Sequence, residues 1–516
     1  MHDARAAVFS EGAIDGAHYL IRLRTGEGGT RPASCSALTG RYALLRSIRR
    51  HVGTVMKRRR AIIAVIVTGA VLTAATGPAR ATPVQSDAVE APPMGWNSWN
   101  SGITLNETTI HETVDAMVTS GMRDAGYRYV NLDAGWAAPY RDSYGDLQAD
   151  PVRFPHGIES LADYVHDRGM YLGLYSSPYN QTCGQTIPNA SLGHEAQDAR
   201  QFAAWGVDFL KYDWCRARAD HDEQVRVFTA MRDALSATGR AVVYSINPNS
   251  SDDVDAGTSY DWSQIADLTR NTGDLIPMWR NDLPPSNIGG FDTRGMVGVI
   301  DQFTTAATAA TDTRKGYLHD PDMLVVGVTM PEFLTAHLDG LPAMAAKQGA
   351  LSAEDAEQVG NRLRISPQVL ELLRWQDTLT AAEQRTHISL WAMLGAPLIA
   401  GNDVRSMSTE TRDLLTNREV IAVDQDPLGI QGAALPDDDR IIVKALADGS
   451  VAVALFNRSD RAADIEISAT ATGLGPSKSY AVRDLWTHTT TTTTGSITAR
   501  GVPPHGVALV RVRREH

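Results

Sequence analysis

The chain has 516 residues, 43% of them hydrophobic and 21% charged, with a formal net charge of −12. This length exceeds one ordinary domain, so we expect two folded domains plus processing segments. Residues 1–81 hold 13 of the 48 Lys and Arg but 4 of the 60 Asp and Glu. The remainder therefore has a charge of about −21, which argues against nucleic acid or an anionic membrane surface as a partner.

The N-terminal region has the three parts of a secretory signal peptide. A basic stretch at 56–60 precedes an apolar run and the small-residue site Ala79-Arg80-Ala81. A membrane anchor is the alternative, but it needs about 20 uninterrupted apolar residues, and this run is shorter. We predict a signal peptide at 56–81, a non-native or unstructured extension at 1–55, and a secreted protein with no stable membrane anchor.

Two cysteines follow the predicted cleavage site, Cys183 and Cys215. An even number of cysteines is typical of exported proteins, which fold in an oxidising compartment. If the two bond, the closed loop would stabilise the fold by about 3 to 4 kcal/mol and would brace the backbone next to Asp213.

After a linker at 82–91, strand-like and helix-like segments alternate. The predicted strands are 94–99, 127–133, 170–176, 207–213, 241–247, 267–272, one within 317–327, and 397–402. The predicted helices are 106–125, 158–168, 192–204, 221–238, 293–310 and 381–394. Eight strands with interleaved helices and no Gly-rich nucleotide turn predict a (β/α)8 TIM barrel at 92–415 rather than an open sheet.

Two further regions depart from this alternation. Residues 328–378 follow the seventh strand and far exceed the usual connection of about 2 to 6 residues, so we expect either a lid or substrate-binding wall on the active face, or a structural excursion. Residues 416–516 contain short alternating strands separated by turns, which predicts an antiparallel β-sandwich. The Thr-rich tract at 487–494 within it is predicted to be a solvated loop.

The strand that ends at Asp213 carries polar residues at its carboxyl end, where catalytic residues of α/β barrels lie. Asp213 is a candidate nucleophile or acid/base with Lys211 as its cationic neighbour, and a structural Lys-Asp ion pair is the alternative. Other polar or aromatic side chains at predicted strand ends on the same face are Trp99, Asp133, Arg270 and Asp274. Two carboxylates beside cations, in a pocket with an aromatic wall, are typical of a glycosidase.

The sequence resembles glycoside hydrolase family 27, whose best-known members are secreted α-galactosidases. The resemblance covers residue 92 to the C terminus apart from 328–378. The motifs that carry it are 93–100 (PMGWNSWN), 129–133 (YVNLD), 191–195 (SLGHE), 210–213 (LKYD), 270–274 (RNTGD), 320–324 (DPDML) and 383–387 (EQRTH). Together these short motifs are highly specific.

The resemblance implies a secreted retaining exo-α-glycosidase with Asp213 as nucleophile and Asp274 as acid/base. It also implies that Trp99, Asp133, Lys211 and Arg270 bind the first sugar and that Cys183 and Cys215 form a disulfide. The expected partner is an oligo- or polysaccharide substrate. No metal or cofactor is called for, and the oligomeric state is left open.

Three departures from the family pattern bear on the sugar. The usual Asp-Asp-Cys after the second strand is Asp133-Ala134-Gly135, so a carboxylate that would hold the galactose 4- and 6-hydroxyls is missing. The usual Cys-Glu/Asn-Trp after the fifth strand is replaced by Asn247-Pro248-Asn249. The 328–378 insertion could add a subsite. An isomalto-dextranase-like or β-L-arabinopyranosidase-like specificity, or a non-catalytic carbohydrate-binding protein, therefore stays an alternative to the α-galactosidase.

Overall fold

The computed structural model describes residues 89–515, except for 184–187, 217, 219, 251, 284–286, 289–290, 293–294, 310–312, 334–336 and 338–377. The predicted extension, the signal peptide and most of the predicted insertion at 328–378 lie outside the described residues. No helix in the described part of the chain is long and apolar enough to cross a membrane.

Eight parallel strands form a barrel. They are β1 (Met94–Asn97), β2 (Tyr129–Asn131), β5 (Tyr171–Ser176), β6 (Phe209–Asp213), β7 (Val243–Asn247), β8 (Leu268–Arg270), β13 (Leu318–Asp320) and β14 (Leu398–Ala400). They pair in the order β13-β8-β7-β6-β5-β2-β1-β14. A parallel bridge from Leu324 to Ala400 joins the two ends of this order, so the sheet closes and the predicted barrel is confirmed.

Helices cover the outside of the barrel and connect its strands. They are α1 (Glu107–Thr119), α2 (Met122–Ala125), α3 (Gly157–His166), α4 (Glu195–Ala204), α5 (His221–Thr238), α6 (Ala256–Ser259), α7 (Val299–Ala309), α8 (Ala381–Leu394), α9 (Thr409–Leu415) and α10 (Arg418–Asp424). The predicted single helix at 106–125 is divided into α1 and α2, because Gly121 adopts a left-handed backbone conformation with φ of 86°.

Short strands in the connections are irregular additions to the barrel. They are β3 (Ala137–Arg141), β4 (Leu147–Ala149), β9 (Asp274–Leu275), β10 (Asn287–Ile288), β11 (Phe291–Asp292) and β12 (Met296–Val297). These strands were not predicted, because their segments lack the apolar runs that mark the barrel strands in the sequence. The pairing of β9 with β12 matters for the site because β9 begins at Asp274.

Along each barrel strand, successive side chains alternate between an outer apolar face and an inner face. On β6, Leu210 and Tyr212 belong to the large core between barrel and helices, whereas Phe209 belongs to a separate small cluster. The other members of that cluster are Val89, Val243, Leu268 and Leu318, with Tyr129 packed against it. These side chains form an apolar layer inside the barrel. Because strand residues two apart share a face, Lys211 and Asp213 lie on the inner face above this layer.

The C-terminal region is an antiparallel β-sandwich, as predicted. Its strands are β15 (Ala433–Leu435), β16 (Asp438–Ala445), β17 (Val451–Phe456), β18 (Ala463–Ser468), β19 (Ser479–Asp484), β20 (Thr490–Thr493), β21 (Ser496–Val502) and β22 (Val507–Glu515). Six of them pair in the order β15-β16-β17-β22-β19-β20, and β18 pairs with β21. The prediction of a loop for the Thr-rich tract was wrong, because Thr490–Thr493 pairs with β19 as an exposed edge strand.

Strand β17 explains how the sandwich packs on the barrel. All six of its residues are buried. Val453 and Leu455 lie in the core of the sandwich, whereas Ala452, Ala454 and Phe456 belong to the core of the barrel. The small alanine side chains allow α8 to approach the sheet closely, and α8 is buried on all sides from Thr386 onward. The two domains therefore share one apolar interface.

His505 of the sandwich makes several contacts across this interface. The imidazole of His505 contacts Glu383 through Nδ1 (2.6 Å) and Asp460 through Nε2 (3.1 Å), and its ring stacks on Trp279 with centroids 4.7 Å apart. The carbonyl of His505 accepts a hydrogen bond from Thr386 Oγ1 (2.7 Å). Trp279 lies five residues beyond Asp274, so the sandwich supports the connection that carries this candidate site residue.

We expect His505→Ala to lower the free energy of unfolding by about 1 to 3 kcal/mol, because it leaves Oε1 of the buried Glu383 carboxylate without its His505 partner. Urea unfolding of the two proteins measures the difference. Arg500→Ala is the control, since it removes an exposed ion pair with Asp464 in the same domain and should cost less than about 1 kcal/mol. Equal destabilisation by both substitutions would contradict a special role for His505 at the interface.

Candidate active site

Lys211 links two carboxylates at the carboxyl end of the barrel. Its Nζ lies 2.7 Å from Asp133 Oδ2 and 3.6 Å from Asp213 Oδ2. Asp133 follows β2 and Asp213 ends β6, so the closure of the barrel brings them together across 80 residues of sequence. Burial lowers the pKa of Lys211, but the two carboxylates raise it by more than burial lowers it. The net pKa therefore lies above its ordinary value. Lys211 is thus a permanent cation.

Asp133 is held in one orientation by its neighbours. Its Oδ2 also accepts a hydrogen bond from Asn97 Nδ2 (3.2 Å), and its Oδ1 accepts one from the Ala134 N–H (2.8 Å). Its own N–H donates to Ser98 Oγ (2.9 Å). Ala134 presents a methyl group where the family pattern has a second carboxylate. Asp133 is therefore a fixed acceptor beside a position that offers no polar group.

Arg270 organises the opposite side of the site. Its Nη2 lies 3.1 Å from Asp322 Oδ2 and 3.2 Å from Asp274 Oδ1, and it donates to the carbonyls of Thr272 (3.2 Å) and Gly273 (2.8 Å). The guanidinium is buried, with 4% of the side chain exposed. One cation therefore holds both the turn after β8 and the carboxylate that the turn presents.

Asp322 completes this turn, and the sequence analysis gave it no role. Its Oδ2 accepts a hydrogen bond from the Leu275 N–H (2.8 Å), and its Oδ1 accepts one from the Met323 N–H (2.8 Å). The residue has a φ of 75°, a conformation that Asp tolerates better than most residues. The DPDML motif at 320–324 contained a signal for it, since the motif lies in the region of the predicted seventh strand, but only the folded chain places Asp322 beside Arg270.

Asp213 is a buried carboxylate with one available oxygen. Its Oδ2 faces Lys211, and no described residue donates a hydrogen bond to its Oδ1. Burial raises the pKa of Asp213 to about 6; the cations Lys211 and Arg270 oppose this shift, whereas Asp133 and Asp274 add to it. The charge of Asp274 thus contributes to the raised pKa of Asp213.

Asp274 differs from Asp213 in both exposure and pKa. Its side chain is 55% exposed, against 11% for that of Asp213. Loss of hydration in the cleft raises the pKa of Asp274, but Arg270 and Lys211 lower it by more than this. The net pKa therefore lies below the ordinary value of 3.8. One carboxylate thus lies at the base of the site and the other at its solvent-facing side.

The predicted disulfide is present between Cys183 and Cys215. It packs against Tyr175, whose hydroxyl lies 3.6 Å from Cys215 Sγ and accepts a hydrogen bond from the Cys183 N–H (3.4 Å). The Tyr175 ring lies 5.3 Å from Lys211 Nζ. The disulfide and Tyr175 together brace the backbone next to Asp213 and cover one side of the lysine.

The segment Asn247-Pro248-Asn249, which departs from the family pattern, has a structural role beside the site. The Asn249 amide nitrogen donates to Asn247 Oδ1 (2.9 Å) and to the carbonyls of Arg270 (3.2 Å) and Thr272 (3.0 Å). Its Oδ1 accepts a hydrogen bond from the Gly257 N–H (2.9 Å). Asn249 therefore links the ends of β7 and β8 and supports the turn that presents Asp274.

Trp99 does not end a strand as predicted. It begins a short 3₁₀ helix (Trp99–Ser101) that follows β1, and its N–H donates to Asn97 Oδ1 (2.8 Å). The Trp99 ring packs edge-on against the ring of His337, with centroids 5.3 Å apart. No role was predicted for His337 itself, although the 328–378 segment that contains it was expected to form a lid or substrate-binding wall on the active face, or a structural excursion. The long connection after β13 has no strand-end position that would mark the individual residue.

Family models match both domains of the chain. One described as alpha galactosidase A matches residues 91–333 and 368–426, and one described as the alpha galactosidase C-terminal beta sandwich domain matches residues 437–512. Together these matches span most of the described chain.

Individual relatives and a solved structure agree with the family models. The chain is 34% identical over 439 residues to alpha-galactosidase A of Cellvibrio japonicus (strain Ueda107). This match covers 82% of this chain and 92% of the relative. It is 36% identical over 405 residues to an alpha-galactosidase of Cyamopsis tetragonoloba, covering 78% and 81%. The crystal structure of alpha-galactosidase I from Mortierella vinacea is similar, with a TM-score of 0.66 and 29% identity over 83% of this chain and 98% of that one. The chain therefore belongs to the α-galactosidase family, glycoside hydrolase family 27, and is a glycoside hydrolase.

Proposed function

We propose that the protein is a retaining exo-α-glycosidase that hydrolyses terminal α-galactosides, with Asp213 as nucleophile and Asp274 as acid/base. The observation that carries this proposal is the pair itself: a buried carboxylate with one available oxygen beside Lys211, and a more exposed carboxylate held by Arg270. A binding protein needs no such opposed pair, which argues against the non-catalytic alternative.

The reaction has two displacements. Asp213 Oδ1 attacks the anomeric carbon, the bond to the glycosidic oxygen breaks, and Asp274 donates its proton to that oxygen as the alcohol leaves. Asp274 then removes a proton from water, the water oxygen attacks the anomeric carbon, and the Asp213 carboxylate is released. The exposed position of Asp274 suits this role, because the leaving group and the incoming water both reach the site from solvent.

Trp99, Asp133, Lys211 and Arg270 form the first sugar subsite in this proposal. The ring of Trp99 supports an apolar face of the sugar, and the fixed Asp133 and Lys211 bind its hydroxyl groups. Galactose is favoured because the named relatives are α-galactosidases at 34 to 36% identity. Ala134 and the Asn247–Asn249 arrangement keep gluco-configured and arabinose-type sugars as competitors.

Export is part of the proposal. The Cys183–Cys215 disulfide supports it, since such bonds persist in oxidising compartments. The signal-peptide pattern at 56–81 supports it from the sequence. N-terminal sequencing of protein from a culture supernatant, with Thr82 as the expected first residue, tests both the export and the cleavage site.

Activity on a panel of nitrophenyl α-glycosides and on dextran tests the reaction and the sugar. We expect the α-galactoside to be hydrolysed fastest, with the α-anomer of galactose as the first product by NMR. Asp213→Ala should lower kcat by about 10³-fold or more, with galactose binding affected much less. Asp437→Ala, at an exposed aspartate of the sandwich, is the matched control. Turnover of gluco substrates alone would overturn the galactosidase proposal, and turnover of none would favour the binding protein.

The pH dependence follows from the single proton that the pair shares in its reactive form. The proposed mechanism needs Asp274 protonated and Asp213 ionised, whereas the order of the two pKa values favours the proton on Asp213. The reactive form is therefore a constant minor fraction of the singly protonated pair, which exists between the two proton losses. The first loss lies below pH 3.8 and the second at about 6. We expect kcat/KM to be greatest between these values and to fall about tenfold per pH unit above pH 6.

Asp274→Ala provides the control for this profile. With a nitrophenol leaving group, which needs no proton, the remaining activity should rise with pH as Asp213 ionises and then stay level. The substitution also removes a negative charge that raises the pKa of Asp213, so this rise should be centred below pH 6. A wild-type profile that remains level to pH 8 would contradict the shared-proton interpretation.

Ala134→Asp tests the sugar preference directly. A carboxylate here would restore the acceptor that the family pattern assigns to the galactose 4- and 6-hydroxyls. A charged hydrogen bond contributes about 1.5 to 3 kcal/mol, so the ratio of kcat/KM for galactoside over glucoside should rise about 10- to 100-fold. Ala134→Asn, which adds a similar volume without charge, should raise it much less. An unchanged ratio would show that this position does not face the sugar.

A further inference from the structure

His337 lies in the active site although the family pattern does not supply it. The family model matches as far as residue 333 and resumes at residue 368, so His337 belongs to a segment that the family model does not match. Its ring meets that of Trp99 at 84°, with centroids 5.3 Å apart, and packs on Phe333 at 4.1 Å. The segment after β13 therefore contributes a side chain to the wall of the sugar subsite.

The hydrogen bond of His337 defines its tautomer. Its Nδ1 lies 2.7 Å from the carbonyl oxygen of Phe333. A carbonyl oxygen only accepts, so Nδ1 carries the proton. Burial lowers the pKa of His337, while Asp274 and Asp133 act in the opposite direction. The net direction is downward, so the imidazole stays neutral near pH 7.

A neutral ring in this place orients Trp99. The backbone of Trp99 is anchored through its N–H to Asn97, but that bond does not set the plane of the indole. In the part of the chain that the structure describes, His337 is the aromatic ring in contact with Trp99. An edge-to-face contact is directional, because the positive edge of one ring meets the negative face of the other. Loss of the ring would remove this directional contact from the indole.

We propose that His337 is a positioning residue that holds the Trp99 ring as the platform for the first sugar, and so sets the affinity of this subsite. This inference rests on the proposed function of Trp99 in sugar binding. His337 stabilises bound substrate and transition state alike, because its contact with the platform is the same in both. Its removal therefore weakens binding without slowing the chemical step.

Kinetics of His337→Ala and His337→Phe test the proposal, with the glycoside that the wild-type protein hydrolyses fastest. His337→Ala should raise KM about 2- to 10-fold, with kcat changed less than twofold. His337→Phe retains a ring against Trp99 and should restore KM to within about twofold of wild type. Isothermal titration of galactose, or of the sugar released from that glycoside, into the same variants carrying Asp213→Ala should show the same order of affinities.

His111→Ala is the matched control, because His111 stacks on Tyr164 at 3.7 Å on the outside of the barrel. It removes a histidine–aromatic contact without touching the site and should leave both constants unchanged. An unchanged KM in His337→Ala, a loss confined to kcat, or a failure of His337→Phe to restore binding would overturn the proposal. Wild-type activity on a different α-glycoside would overturn only the galactosidase proposal, whereas absence of both turnover and sugar binding would overturn both.

Discussion

The active site depends on burying Lys211 between Asp133 and Asp213. Removing a carboxylate from water costs several kcal/mol, and only well-placed opposite charges and hydrogen bonds offset that cost. Lys211 supplies this charge to two carboxylates at once, and Arg270 supplies it on the other side. Asp213 remains the least satisfied member, with a pKa of about 6 and one oxygen that no described residue bonds. This residual destabilisation suits the nucleophilic role that we propose for Asp213.

The barrel makes this arrangement possible by layering. The apolar ring of Phe209, Val243, Leu268 and Leu318 closes the interior, and the residues two positions further along each strand meet above it. Glycine in β5 leaves room for the layer, since a Cβ on Gly173 would come within 2.0 Å of Asn131 Oδ1. Polar groups are tolerated at this level because several charges and donors from different strands satisfy one another.

The parts outside the barrel strands determine the orientation of the site. Asp322 and Asn249 hold the turn that presents Asp274, and the sandwich reaches the same connection through the stacking of His505 on Trp279. The sandwich is thus more than an appended domain, because its β17 shares a core with α8. Side chains outside the barrel strands therefore support the position of Asp274, the proposed acid/base.

Sequence alone determined the order of strands and helices, the barrel with its sandwich, and the strand-end positions of Asp133, Lys211, Asp213 and Arg270. These follow from local periodicity and from the rule that barrel strands end at one face. Their mutual contacts, the turn conformation of Trp99, and the roles of Asp322 and Asn249 were decided only by the tertiary structure. The Thr-rich edge strand was also decided by the tertiary structure, because its pairing with β19 overrides a composition typical of loops. The sequence indicated that the 328–378 segment could form a wall on the active face, but it did not single out His337, since a residue in a long connection is placed by packing against the finished barrel and not by its own neighbours in the chain.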